Sequence, residues 1–163
     1  MSQGFIEVQK KGDCYIVSIS GSLDEDMTFK KVEITDAKEI VVNFEKVNGI
    51  KWFGISELIR WLSSQKSAKI IYSKCPKNVV DQMNIVVGFL PRNAVVESFY
   101  VPYYCEESGE EAQVLFRFGI EFNEANITPP GDVFDSKGNK MEIDAIWVKY
   151  FRFLETKERR KVC

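Results

Sequence analysis

Histidine is missing altogether from these 163 residues. That absence removes the commonest neutral-pH base and metal ligand. Ser–His and Cys–His nucleophile pairs are therefore impossible, and so is any zinc site built on imidazole. Acid–base work would fall to a carboxylate, Lys, Tyr or Cys with a strongly shifted pKa. The four cysteines, Cys14, Cys75, Cys105 and Cys163, include no CxxC pair, and a reducing compartment would keep them as thiols. No stretch approaches the ~18 apolar residues that cross a bilayer. The opening "MSQGFIEVQKKGD" has no basic segment leading into an apolar core, so no secretory leader is expected there. A cytoplasmic protein without membrane insertion is the expectation. GxGxxG, GxxxxGK[ST] and GxSxG are also missing, which leaves nucleotide cradles and esterase elbows without support.

What is present is ordinary for a packed globular chain: 45% apolar residues, 28% charged residues and a formal charge of −2. That charge balance argues against wholesale nucleic-acid binding. The basic tract "KERRK", Lys157 to Lys161, reads as a solvated helix end. The carboxylate pairs Asp24/Asp26, Glu106/Glu107 and Glu110/Glu111 lack the alternating oxygen ligands of a calcium loop, and "CEESGEEAQ" reads as a solvated turn.

Periodicity predicts strands over Phe5–Gln9 and Tyr15–Ser20 around a Lys-Gly-Asp turn, with Tyr15, Val17 and Ile19 on the more apolar face. Met27, Phe29 and Val32 suit a short helical turn. The continuous run "EIVVNF", Glu39–Phe44, fits a central strand covered on both faces. A helix is expected from Gly54 to Gln65, with Ile55, Leu58, Ile59 and Leu62 sharing one face. Then come a strand at Ala68–Ser73, a helix capped by Asn78 that carries Val79, Val80, Met83, Val86 and Val87, and a strand at Ala94–Tyr100 ended by Pro102. Further on, Gln113–Phe118 reads as a strand and Asn126–Asp132 as a loop. A helix over Ile143–Leu154 would carry Ile143, Ile146, Trp147, Tyr150, Phe151 and Leu154 as a packing stripe. If that helix did not fold back on its own chain, its face would need cover from a second copy. Strands alternating with short helices predict an α/β fold: a mixed sheet with helices packed against it, plus a small C-terminal β-hairpin and helix.

The element order and the segment "EIVVNFEKVNGIKWFGISELI" together resemble a STAS domain, the module named for sulfate transporters and anti-sigma-factor antagonists. The resemblance covers about Phe5 to Tyr100, and implies a STAS-like domain over residues 1–101 with an extension over 102–163. In the family, an apolar strand leads through a loop into an Asp-Ser-Ser/Ala-Gly turn and a helix. Ile50 matches the loop's apolar residue, Gly54 the glycine, and Ile55 and Leu58 the helix core. Lys51 stands in place of the Asp and Trp52 in place of the serine that accepts phosphate in switch-type members. A phosphoserine acts by adding about −1.5 to −2 charges at a helix amino terminus, and an indole cannot take them. Ser56 does not match the acceptor and reads as a helix-surface serine.

The resemblance implies a non-enzymatic interaction module in bacterial regulation or signalling, without cofactor, that docks on another regulatory protein or on itself. Its surface would comprise Lys51, Trp52, Phe53, Gly54 and Ser56. Two arrangements of the rings are open: tucked under the sheet edge or the C-terminal extension, or exposed as an apolar contact patch. An alternative is a small-ligand STAS domain taking nucleotides or lipids in the groove beside that turn. An enzyme using Cys75 or a perturbed carboxylate is a third; Cys75, with only Lys74 as a basic neighbour, reads as a half-buried thiol.

The C-terminal third resembles the four-cysteine zinc ribbon that follows the sheet in some STAS-like proteins ("PYxCxxC", a hairpin, then "CPxCG"). In "VPYYCEESG" and "VFDSKG", Cys105 stands at the first ligand, Ser108 at the second, and Phe134 and Lys137 at the later pair, with Gly109 and Gly138 keeping the turns. One thiol is too few for a structural zinc site, which needs about four ligands. Zinc would contribute on the order of 10 kcal/mol to folding such a ribbon. A metal-free version must draw on apolar packing, for which Phe116, Phe118, Phe122, Phe134 and the 143–154 helix are available.

Overall fold

The structure, a computed structural model, describes residues 4–155; the basic tract and Cys163 lie outside the described residues. The fold is mixed α/β, with a five-stranded mixed sheet joined to a curled four-stranded antiparallel one. In the first sheet, β1 (Phe5–Lys11), β2 (Cys14–Leu23), β3 (Glu39–Ile50), β4 (Lys69–Ser73) and β5 (Ala94–Val96) lie side by side in chain order. The β1–β2 hairpin is antiparallel and the remaining neighbours are parallel. Gly12, at φ +63°, makes the tight hairpin turn in a conformation that few side chains tolerate.

Two helices cover one face. α1 (Trp52–Ser63) and α2 (Lys77–Ile85) lie over alternate strand residues, among them Val17, Ile40, Val42, Phe44, Ile70 and Tyr72, none of which is accessible to solvent. The opposite face is only half-covered at Ile16, Val41 and Ile71, so the expectation that β3 is buried on both sides holds for one side only. Both crossover helices lie on one side, and the parallel strands therefore keep an alternating pattern in place of continuous burial.

Several expected elements change their bounds. α1 begins at Trp52, two residues before Gly54, and also buries Trp61 against Phe29, with ring centroids 5.4 Å apart. The turn around Phe29 is a short 3-10 segment, Phe29–Lys31. Asn78 does not cap α2: Pro76 holds that position, and the Asn78 amide donates to the Val47 carbonyl at 3.3 Å. α2 ends at Ile85, which leaves Val87 exposed where a buried stripe was expected.

The expected strand Ala94–Tyr100 is two strands. β5 ends at Val96, and after Glu97 the chain enters β6 (Ser98–Tyr104), the centre of the second sheet. Pro102 lies inside β6 and does not end it. A strand residue points its N and its C=O to the same side. The Pro102 carbonyl accepts from Asp144 N just past the short β9 ladder, so the missing N–H falls where no partner strand needs it. The expected division after residue 101 therefore falls within β6. β7 (Glu111–Arg117) flanks β6 on one side, and β9 (Lys140–Ile143) with β8 (Val133–Phe134) on the other.

The expected helix over 143–154 is broken up. Ile143 ends β9, α3 is the single turn Trp147–Tyr150, Phe151 makes a turn, and residues 152–155 are helical again. This segment does fold back on its own chain: Tyr150, Phe151 and Phe153 are buried, while Ile146, Trp147 and Val148 are exposed. Phe99 is its hub, within about 6 Å of the rings of Phe116, Phe122, Phe151 and Phe153. Asn84 of α2 anchors the segment with both ends of its amide, donating to Tyr150 O at 2.9 Å and accepting from Phe153 N at 2.8 Å.

Candidate interaction site

β3 outruns β4. Beyond Asn43 it has no β4 partner, yet it continues to Ile50 beside β2. Lys51 N then donates to Leu23 O at 2.9 Å, and the chain turns directly into α1. Gly54 is what permits so tight an entry. A Cβ built there would lie 2.3 Å from the Leu23 carbonyl carbon and oxygen, so the first turn of α1 rests on bare β2 backbone.

That contact holds the start of α1 at the end of the sheet and turns its first residues outward. Trp52 is 69% exposed and Phe53 55% exposed. Phe53 is i−4 and i−7 to the largely covered Glu57 and the exposed Arg60, which are themselves paired at 3.2 Å. Trp52 lies one turn before the buried Ile55. Of the two ring arrangements left open by the sequence, the exposed one is observed. Lys51, also exposed, is the N-cap residue and makes no side-chain cap. Ser56 is half-buried, and its hydroxyl donates to Trp52 O at 3.1 Å. Lys51, Trp52, Phe53 and Ser56 thus surround the start of α1, with the buried Gly54 as its footing.

A second set of side chains gathers where β3 leaves β4, and nothing in the residue pattern signalled it. The Tyr100 hydroxyl donates to Glu45 Oε1 at 2.7 Å, and Lys74 Nζ lies 3.4 Å from Glu45 Oε2. Lys74 adopts φ +52°, unusual for a residue with a side chain, as the chain leaves β4. With Val47, Asn78 and Gln113, Glu45 and Tyr100 border a cleft of about 380 Å3. The bond from Tyr100 holds the Glu45 carboxyl below its usual range. Desolvation, reinforced by Glu45, pushes the Tyr100 hydroxyl up to about 12. Neither group changes charge near neutral pH, so the pair supplies no poised acid or base. Cys75 is fully buried, not half-buried, and desolvation holds its thiol protonated well above the ordinary range.

The turns expected to correspond to metal knuckles come together. The turn after β6 carries the buried Cys105 and the half-buried Ser108; the exposed Phe134 ends β8, and the exposed Lys137 lies in the turn that leads to β9. At their junction lies Asp135, a residue the ribbon alignment passed over. Its carboxylate accepts from the Ser108 hydroxyl at 2.6 Å, from the backbone N–H of Lys137 and Asn139 at 2.9 and 2.8 Å, and from the Asn139 amide at 3.1 Å. These donors, Ser108 foremost, hold the Asp135 carboxyl far below its usual range. Glu110 adds a second tie by accepting from both N and Oγ of Ser136, so "CEESGEEAQ" is not a wholly solvated turn. Among the described residues no three His, Cys, Asp or Glu side chains are grouped to hold a metal.

No protein-family model matches the chain, and no curated protein is significantly similar to it.

Proposed function

We propose that this protein is a non-enzymatic interaction module of the STAS kind, acting in bacterial regulation and lacking the phosphoacceptor serine of switch-type members. The observation that carries the reading is the pair of adjacent aromatic rings, Trp52 and Phe53, both more than half exposed at the start of α1. Isolated exposed rings are unremarkable, but two adjacent ones on a rigid helix start resemble the aromatic anchors of binding hot spots. Rigidity comes from Gly54, which rests on the Leu23 backbone, so docking would order little that is not already ordered. Lys51 supplies a cation beside the rings. The element order strand, strand, strand, helix, strand, helix, strand also agrees with the resemblance. Among the described residues no helix is long and apolar enough to cross a membrane. The partner is another regulatory protein or a second copy of the chain, and no nucleic acid is involved.

The test compares wild type with a Trp52→Ala, Phe53→Ser double variant. Both rings are exposed, so circular dichroism should be unchanged and stability should move by no more than about 0.5 kcal/mol. Affinity capture from native lysate should lose specific proteins in the variant; if the partner is a second copy, light scattering should report a lower mass. Recovery of the same proteins by both forms, at the same solution mass, would dispose of this surface.

A further inference from the structure

The uncovered face of the first sheet carries one apolar residue from each parallel strand, and they are in register. Ile16 pairs with Val41, Val41 with Ile71, and Ile71 with Val95. At the β5 end this row opens into a cavity of about 400 Å3 between the sheet and the turn that follows β7. Ile71 and Val95 form its floor; Phe118 and Phe122, at right angles with centroids 5.7 Å apart, form a wall. Phe118 is more than half exposed there, an aromatic surface that no neighbour covers fully.

Two hydrogen-bond donors border the cavity without an acceptor. Lys69 lies two residues before Ile71, on the same face of β4, and no carboxylate is within ion-pair distance of it among the described residues. Asn123 Oδ1 accepts the N–H groups of Ala125 and Asn126, each at 2.8 Å, which fixes its amide and leaves Nδ2 turned away with no acceptor among the described residues. Two acids also border the space: Glu124, which is engaged within the chain, and the exposed Glu97.

We propose that this cavity binds an amphipathic monocarboxylate. Its apolar body, a chain of roughly ten carbons suited to a cavity of this size, lies on Ile71 and Val95 against Phe118 and Phe122. Its carboxylate meets Lys69 and Asn123. The volume falls within the ordinary range of small-ligand sites, and a mostly apolar lining with a few polar groups suits such a molecule. A single negative charge matches one ammonium and one amide. Among the residues lining the cavity Lys69 is the one cation, so the second charge of a phosphate dianion would have no counterion there. The site is separate from the Trp52 surface and does not depend on it.

Isothermal titration of the full chain with decanoate, below its micelle threshold, and with decanol tests the assignment. Decanoate should bind saturably with one-to-one stoichiometry, more tightly than decanol. Lys69→Met should weaken decanoate about tenfold and leave decanol unchanged. Val95→Trp, which fills the cavity from the uncovered face, should abolish binding of both, while the Trp52→Ala, Phe53→Ser variant should bind as wild type does. Lys69 is exposed, so its replacement leaves the fold intact and remains decisive should Val95→Trp destabilise the sheet. Absence of saturable decanoate binding would overturn the site. Decanoate binding that is unchanged in Lys69→Met would overturn the ligand class.

Discussion

The two sheets of this molecule solve the same problem by different means. The first has a core-facing side of mostly aliphatic residues, one per strand at alternate positions, closed by the apolar stripes of α1 and α2. Its strands reach 12 residues, and regular alternation is sufficient. The second has strands as short as two residues and, from its own segment, short helical pieces at Trp147–Tyr150 and 152–155, so alternation cannot seal it. Rings gathered on Phe99 and a carboxylate that ties two turns together do so instead. Where regular elements are long, burial follows their period; where they are short, a few large groups and a polar junction stand in for it.

The largest blow to this contrast should come from Phe99→Ala. Removing the hub ring should cost about 3–5 kcal/mol in a urea denaturation experiment, and a loss below about 1 kcal/mol would show that the aromatic cluster is not what holds the second sheet. In the first sheet the counterpart is Gly54→Ala, whose methyl has no room above the Leu23 backbone. Up to about 3 kcal/mol should be lost there, and a neutral result would mean that α1 can lift off the sheet without penalty. Asn84→Ala should cost about 1–2 kcal/mol by stranding Tyr150 O and Phe153 N. Hydrogen exchange should then quicken over residues 147–155 and stay slow in β2, β3 and β4; uniform quickening would deny the two regions separate supports.

The smallest effect should come from Asp135→Asn, and it depends on pH. The folded carboxyl is held below the unfolded value of about 3.9, so its contribution to stability is present above that pH and is lost as pH falls through the folded pKa. The variant should therefore have a lower urea midpoint at neutral pH, and the gap should narrow progressively below about pH 4. A gap independent of pH would assign the effect to altered hydrogen-bond geometry rather than to charge.

Much of the first sheet was legible because it obeys period. Tyr15, Val17 and Ile19 face inward, as does the Ile55, Leu58 and Leu62 stripe. The second half was less so. "AVVESFYVPYY" is apolar almost throughout, and no local signal marks Glu97 as the point where one sheet gives way to another. The aromatics between Ile143 and Leu154 recur at helical spacing, yet Asp144 N bonds Pro102 O and keeps the chain in strand geometry before α3 begins. Of the candidate site, the aromatic pair could be named from the chain but its exposure could not, since that depends on how far β3 runs past β4. Asp135, Asn84 and the Glu45–Tyr100 pair act through partners 27 to 69 positions away in sequence and left no pattern to find.

The passage through Glu97 also bears on how the molecule comes apart. Its N–H bonds the Tyr72 carbonyl in the first sheet and its C=O receives Phe118 N from the second, so one peptide segment is stitched into both. A protease cut there would sever a ladder on either side at once. The two sheets, each with its own packing, are thereby joined along a backbone seam, like cloth sharing a hem.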